Sequence, residues 1–289
     1  MRKRSSETDT FMHWIGARTK RRRRESGRSL NWMIPNAMTL LGLSAGISAV
    51  RFAIEGSWDR AVIAITVAAV LDGVDGRIAR ALGVTSRFGA ELDSLSDFVC
   101  FGVSPALVIY LWSLNGAGGV GWSIALIFAV CCAIRLARFN SELDPEPAHE
   151  KPAWAANFFT GVPAPAGGGL ALRPLIWALE FPDSGFFNSP VVTGATMLAA
   201  SVLMVSRIPT MAAKRIKVPT RFVVFALIGF GVVFALLISE PWLMLGLIGV
   251  AYIVSIPVAM RRYEKLASEG RLQPEESAED PESEPGEPL

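Results

Sequence analysis

Long apolar runs separated by polar connections make up most of the chain. Runs that could each cross about 30 Å of hydrocarbon as a helix fall at residues 36–55, 59–80, 97–114, 120–139, 161–180, 189–206, 221–239 and 241–260. This pattern predicts an all-α integral membrane protein with about eight transmembrane helices. A polar, basic segment precedes the first run, which is not typical of a cleavable signal peptide.

The polar ends divide the chain into three regions. Residues 1–34 form a basic and possibly amphipathic segment, residues 35–262 the transmembrane domain, and residues 263–289 an acidic tail whose composition predicts disorder. The basic segment suits the surface of an anionic leaflet, and it equally suits a simple orientation signal. Both readings stay open.

The cations are distributed unevenly between the two sides of the predicted bundle. The chain has 28 lysines and arginines, and a dense group, including the run Arg21–Arg24, precedes the first helix. With both termini in the cytoplasm, most of the remaining cations also fall on the cytoplasmic side, as the positive-inside rule requires. We therefore expect a multi-pass protein of the inner (cytoplasmic) membrane, with its polar loops facing the cytoplasm.

Histidine and cysteine offer little chemistry here. The three cysteines, Cys100, Cys131 and Cys132, lie within predicted helices and lack metal-binding spacing, so a buried apolar role is favoured. The two histidines, His13 and His149, fall in different polar segments. Any chemistry is therefore expected to rest on carboxylates.

Four aspartates crowd the second and third apolar runs. Asp72 and Asp75 share one face at the end of the second helix, and Asp93 and Asp97 share one face of the next. A short connection makes these helices an antiparallel hairpin, which brings the carboxylates together. They repel one another unless cations or protons neutralise them. Ligation by oxygen alone favours Mg²⁺ or Mn²⁺ over zinc or copper.

The positions around these aspartates are small or cationic. Gly76, Ala79 and Gly89 remove side-chain bulk, so a large polar headgroup could come close to the carboxylates. Arg80 offers a planar fork of donors suited to phosphate oxygens.

Together these residues form the pattern D-x2-D-G-x2-A-R-x8-G-x3-D-x3-D, within LDGVDGRIARALGVTSRFGAELDSLSDFVCFG. A chance match to eight fixed positions is on the order of one in a billion per starting position. The pattern resembles the signature of the CDP-alcohol phosphotransferase family, and the similarity runs through about residues 34–217. The resemblance implies that family's helical membrane fold and a homodimer.

The resemblance also implies roles for these residues. Two divalent cations, Mg²⁺ or Mn²⁺, would bind the diphosphate of CDP-diacylglycerol through Asp72, Asp75 and Asp93. Asp97 would touch a metal and act as the base toward the acceptor hydroxyl. Candidates for binding CDP-diacylglycerol are Gly76, Ala79 and Arg80, with Asn36 and Thr39 as weaker ones.

Further strings resemble the branch of the family whose acceptor is serine. They are GAELDSLSDFVCFGVSPA, IRLARFN, FTGVPAPA and SRIPTMAAK, with Cys100 standing where a small hydroxyl residue is expected. A cation should meet the carboxylate of L-serine, and we expect it from Arg135 or Arg138, with Asn140 beside them. These arginines could instead only mark the cytoplasmic side. Lys214 and Arg215 could bind lipid phosphates or mark a loop.

Two alternatives stay open. A sister enzyme would use glycerol 3-phosphate, inositol or choline as the acceptor, and the shared motif does not exclude it. A cation transporter would use the carboxylates as its ion site, although such sites usually lie near the bilayer midplane on broken helices. The expected partners are thus CDP-diacylglycerol, L-serine and membrane lipids, and not nucleic acid.

Overall fold

The computed structural model describes residues 33–84, 86–143, 158–211 and 223–276. The described helices are α1 (Met33–Ile54), α2 (Trp58–Leu82), α3 (Arg87–Asp97), α4 (Ser104–Trp112), α5 (Gly118–Leu143), α6 (Ala164–Ala171), α7 (Arg173–Glu180), α8 (Pro190–Val205), α9 (Val223–Ser239) and α10 (Pro241–Glu276). One π-helical turn, Phe98–Val103, joins α3 to α4 without a break, and a short 3₁₀ helix, Leu114–Ala117, precedes α5. The predicted all-α architecture is confirmed.

Helix α1 lies at the centre of the half of the bundle that holds the aspartates. It packs against α2, α3 and α4. The buried face of α1 carries small residues, Gly42, Gly46, Ala49 and Ala53, and small residues allow helices to approach closely in a membrane. A β-carbon at Gly46 would lie 2.5 Å from the sulfur of Cys100.

A ladder of side-chain hydrogen bonds joins the α3–α4 unit to α1. Ser96, Cys100 and Ser104 are spaced four apart, and each donates to a backbone carbonyl of α1, over 3.3, 3.4 and 2.8 Å respectively. The acceptors are the carbonyls of Thr39, Gly42 and Gly46. A carbonyl that already accepts a helical hydrogen bond has a second lone pair for such a donor. The ladder therefore sets the register of α3 and α4 against α1.

A short antiparallel pair of strands joins the connection between α5 and α6 to the connection between α8 and α9. Strands β1 (Phe158–Thr160) and β2 (Pro209–Met211) pair with Phe158 opposite Met211. Beside β1, Gly161 has a φ of +78°, and a β-carbon there would lie 2.7 Å from the carbonyl oxygen of Ser206. Glycine is required at this position both for its conformation and for space.

The surface and length of the helices match a lipid environment. Among the described residues, four helical stretches are long and apolar enough to cross a membrane: Met33–Ile54, Arg87–Trp112, Leu114–Ser141 and Pro241–Leu266. Large apolar side chains such as Ile47, Val70 and Val130 are more than half exposed on the outside of the bundle. The chain is a multi-pass membrane protein, whereas the count of eight spans and the orientation stay predictions.

Hydropathy misplaced the start of the third helix. The sequence places its apolar run at residue 97, but the helix begins at Arg87, so Asp93 and Asp97 lie within it. The side chain of Ser86 accepts a hydrogen bond from the amide of Gly89 over 3.0 Å and caps this polar first turn. Capping and the amphipathic pattern of residues 87–97 form the helix where mean hydropathy is low.

Two other expectations are corrected. The predicted span 161–180 is divided at Leu172 into α6 and α7, because Pro174 lacks the N–H that a continuous helix would use. The tail predicted to be disordered from residue 263 is helical as far as Glu276, because residues 261–268 are mostly strong helix formers that continue α10 beyond the apolar span. The basic segment up to residue 32 and the end of the tail after residue 276 lie outside the described residues.

Gly46→Ala should lower the free energy of unfolding by about 1–3 kcal/mol, because the added methyl group must displace the buried sulfur of Cys100. Thermal unfolding of the detergent-solubilised protein measures the change. Gly169→Ala is the matched control, since a β-carbon there meets nothing within 4 Å. An unfolding temperature for Gly46→Ala equal to that of the control would contradict the tight α1–α4 contact.

Candidate active site

A tight connection turns the chain between α2 and α3. Gly83 follows the last residue of α2 in the left-handed conformation, with a φ of +63°, and its amide donates to the carbonyl of Arg80 over 3.3 Å. This glycine cap ends α2, and the Ser86 cap starts α3 a few residues later. The two helices that carry the aspartates therefore form a hairpin, as their spacing predicts.

The hairpin gathers the four aspartates. Oxygens of the Asp72, Asp75 and Asp93 carboxylates lie within 4.8 Å of one another. Asp75 is buried, while Asp72 and Asp93 are half-buried. Asp97, one turn beyond Asp93, lies within hydrogen-bond reach of Asp72. The structure thus brings together all the carboxylates that the sequence singles out.

The cluster has an excess of negative charge. Within the described ranges no lysine or arginine forms an ion pair with any of the four aspartates, and Arg80 is the cation whose charge acts on Asp93. Grouped carboxylates in a half-buried site repel one another unless cations or protons neutralise them. Their donor set, oxygen alone, fits Mg²⁺ or Mn²⁺. Asp72, Asp75 and Asp93 are the residues that would hold such ions.

Small residues keep the surroundings of the cluster open. Gly89 faces α1, where a β-carbon would lie 3.1 Å from Oδ1 of Asn36. The Nδ2 atom of Asn36 is buried and has no hydrogen-bond partner among the described residues, so it is a donor available to a ligand. The guanidinium of Arg80 is exposed and lies 3.6 Å from the position of a β-carbon at Gly76. Ala79, between them, is half-buried.

Thr39 contacts one of the clustered carboxylates. Its hydroxyl lies 2.7 Å from Oδ2 of Asp75 and 3.0 Å from the carbonyl oxygen of Pro35. The sequence suggests Thr39 as a weaker candidate for binding CDP-diacylglycerol, and its hydroxyl lies against the carboxylate cluster. Residues 36 positions apart make this contact across two helices, and no local sequence signal announces it.

The arginines expected to bind serine have partners on the backbone. Arg135 is buried, and its Nε donates to the carbonyl of Val162 beside β1. Nη1 of Arg138 donates to the carbonyl of Val205 at the end of α8, over 3.0 Å. Arg135 is nevertheless close enough to Asp97 for their charges to interact. Both arginines thus join the C-terminal part of α5 to segments flanking the strand pair.

Asn140 contacts the aspartate helix directly. Its Nδ2 donates to Oγ of Ser94 over 2.9 Å, and Ser94 lies between Asp93 and Asp97 on α3. The sequence places Asn140 near the site but gives no reason to single out Ser94, which falls at a variable position of the motif. Through this pair, the end of α5 is held beside the carboxylates.

Comparisons with known proteins agree with the motif. The CDP-alcohol phosphatidyltransferase family matches residues 32–207, which include the whole cluster. A second family description, CDP-alcohol phosphatidyltransferase 2, matches residues 221–257.

Several bacterial and archaeal proteins are similar over most of the chain. A Mycobacterium tuberculosis protein named CDP-diacylglycerol–serine O-phosphatidyltransferase is 41% identical over 81% of this chain and 80% of its own length. A protein of the same name from Mycobacterium leprae is 38% identical over 85% of this chain and 81% of its own. An archaetidylserine synthase from Methanothermobacter thermautotrophicus is 30% identical over 61% of this chain and 68% of its own.

Asp93→Asn should weaken the binding of Mn²⁺ by about tenfold or more, since it removes one ligand charge from a cluster of oxygens within 4.8 Å. Electron paramagnetic resonance of free Mn²⁺ in titrations of the purified protein measures the affinity. Glu91→Gln is the matched control because Glu91 is an exposed carboxylate on the same helix. Equal affinities in the two variants would show that the cluster is not the metal site.

Proposed function

The chain belongs to the CDP-alcohol phosphatidyltransferase family, and from that premise we propose that it transfers the phosphatidyl group of CDP-diacylglycerol to L-serine. The products are phosphatidylserine and CMP. The observation that carries this proposal is the cluster of four carboxylates in the α2–α3 hairpin, which no lysine or arginine of the described residues pairs. The relatives named for serine transfer support the choice of acceptor.

Asp72, Asp75 and Asp93 would hold two divalent ions, Mg²⁺ or Mn²⁺. When bound, such ions balance the charge of the diphosphate and of the departing CMP. The carboxylates act as fixed anchors, because one is buried and the others are half-buried on two helices packed against α1. A rigid site loses little free energy in reorganisation during the reaction.

The donor lipid would be positioned by the residues next to the cluster. Arg80 is exposed above Gly76 and can donate to phosphate oxygens in a planar fork. Asn36 offers its unpartnered Nδ2 to a polar group of the nucleotide. The small side chains of Gly76 and Ala79 leave room for CDP, while the acyl chains stay in the surrounding lipid.

Asp97 is the residue that we assign as general base. A seryl hydroxyl is a poor nucleophile near neutral pH, so a neighbouring group must accept its proton. In the proposed step, the seryl oxygen forms a bond to the phosphorus that carries diacylglycerol, and the bond from that phosphorus to the CMP oxygen breaks. The hydroxyl proton goes to the carboxylate of Asp97. Direct attack needs no covalent enzyme intermediate.

Serine would lie between Asp97 and the inner end of α5. Arg135 and Arg138 carry positive charge there, and the interaction of Arg135 with Asp97 supports this placement. Each arginine has further N–H groups beyond the one bonded to a backbone carbonyl, and a serine carboxylate would use those. Asn140, held on Ser94, adds an amide next to the same position.

The site would face the cytoplasm in the inner membrane, and the basic N-terminal segment would lie on the same side. The bias of lysine and arginine toward that side supports the orientation. Family resemblance supports a homodimer as the acting form.

Release of CMP tests the function. Purified protein with CDP-diacylglycerol and Mg²⁺ or Mn²⁺ is supplied with L-serine, glycerol 3-phosphate, inositol or choline in parallel. Of the four acceptors, we expect only L-serine to give fast release of CMP. Excess chelator should abolish that release. Faster release with another acceptor would assign the chain to a sister activity. Cation flux through proteoliposomes without release of CMP would favour a transporter.

Asp97→Asn should lower kcat by about a hundredfold or more, the usual scale for a lost general base, while binding of CDP-diacylglycerol is largely retained. Steady-state CMP release and lipid binding measure the two effects. Asp59→Asn is the matched control, since Asp59 is an exposed aspartate at the other end of α2. A near-normal kcat, or a stoichiometric burst of CMP from the parent without serine, would contradict direct attack assisted by Asp97.

A further inference from the structure

We propose that Thr39 is a positioning residue whose hydroxyl holds the carboxylate of Asp75 in the orientation that binds divalent cations. The inference rests on the metal site of the proposed function. It assigns to α1, which carries none of the motif, a direct part in shaping that site.

The contact between the two side chains is short and buried. Oγ1 of Thr39 lies 2.7 Å from Oδ2 of Asp75, and the two residues are 7% and 3% exposed. A hydrogen bond to an ionised carboxylate is about twice as strong as one between neutral groups. With so little exposure, water has poor access to replace the hydroxyl. The bond therefore restricts rotation of the Asp75 carboxylate.

The threonine hydroxyl has one proton and two neighbouring acceptors. The carbonyl oxygen of Pro35 lies 3.0 Å away, slightly farther than the Asp75 oxygen. An ionised carboxylate attracts the proton more strongly than a neutral carbonyl does, so the proton points toward Asp75.

Thr39 is itself held by the helix that bears the base. The hydroxyl of Ser96, the residue before Asp97, donates to the carbonyl of Thr39 over 3.3 Å. This is the first step of the ladder that continues at Cys100 and Ser104. Asp75 on α2 and Asp97 on α3 are thus coupled through α1 as well as through the hairpin turn.

The same geometry separates Thr39 from a role at the nucleotide. Its side chain is buried and its proton is used by Asp75. Asn36, one helical turn earlier, has the buried unpartnered donor that a ligand would use. Loss of the Thr39 hydroxyl should therefore weaken binding of the metal more than binding of CDP-diacylglycerol.

Thr39→Val removes the hydroxyl and keeps the shape of the side chain. Binding of Mn²⁺ to the purified protein in nanodiscs, without substrate, should weaken about tenfold, the lower scale for a lost partner of a metal ligand. Thr39→Ser keeps the donor and should bind Mn²⁺ within about threefold of the parent. Thr66→Val is the matched control, because the Thr66 hydroxyl on α2 bonds to the carbonyl of Val62 in its own helix, its one partner among the described residues.

If Thr39→Val binds Mn²⁺ as tightly as the parent protein does, the inference is wrong. An unchanged Mn²⁺ affinity with a raised KM for CDP-diacylglycerol would also overturn it and assign Thr39 to the nucleotide. If Thr39→Val is not recovered as folded protein, Thr39→Ala is compared with Thr39→Ser in the same way. If the parent protein itself binds no Mn²⁺, both this inference and the proposed metal site are wrong. If the parent protein binds Mn²⁺ but transfers no phosphatidyl group to serine, only the proposed function is wrong.

Discussion

Mutual repulsion among four carboxylates is the constraint on which this structure depends. Two unit charges 4.8 Å apart cost about 3 kcal/mol at an effective dielectric constant near 20, and the cluster contains several such pairs. A domain is typically stable by only about 5–15 kcal/mol, so this repulsion is a substantial fraction of the total. In the proposed function, divalent cations would offset this repulsion, and the same carboxylates would supply the oxygen ligands.

The fold resists the repulsion with short-range contacts. Caps at Gly83 and Ser86 keep the hairpin connection short, and the small face of α1 lets three neighbouring helices approach. The hydroxyl and thiol ladder from Ser96 to Ser104 then locks α3 and α4 onto α1. The π-helical turn directly after Asp97 lies within this ladder, at the kind of place where such turns often accompany function. Together these contacts fix the positions of the backbone segments that carry the carboxylates.

Most of the helices and the position of the aspartate cluster could be predicted from hydrophobic periodicity and residue spacing. Apolar runs gave the helices, and the spacing of Asp72, Asp75, Asp93 and Asp97 gave the hairpin and its cluster. Hydropathy could not give the start of α3 at Arg87, because that turn is polar and depends on a cap. It also missed the break at Leu172, which follows from one proline inside an apolar run.

Contacts between distant segments were beyond sequence reasoning. The bond from Thr39 to Asp75 joins residues on different helices, and the backbone partners of Arg135 and Arg138 lie beside the strand pair. A single sequence states the type of each residue but not which distant carbonyl or carboxylate it meets. For that reason the proposed metal ligands could be predicted from the motif, whereas the hydrogen-bond partners of those residues could not.

The central claim is that these carboxylates form a divalent cation site, and anomalous diffraction tests it most directly. Crystals of the protein grown with Mn²⁺ would be measured near the manganese absorption edge. The account predicts anomalous density enclosed by the carboxylates of Asp72, Asp75 and Asp93, on the side toward Asp97. Fully ordered aspartates with no anomalous density between them at saturating Mn²⁺, or density only elsewhere, would contradict it.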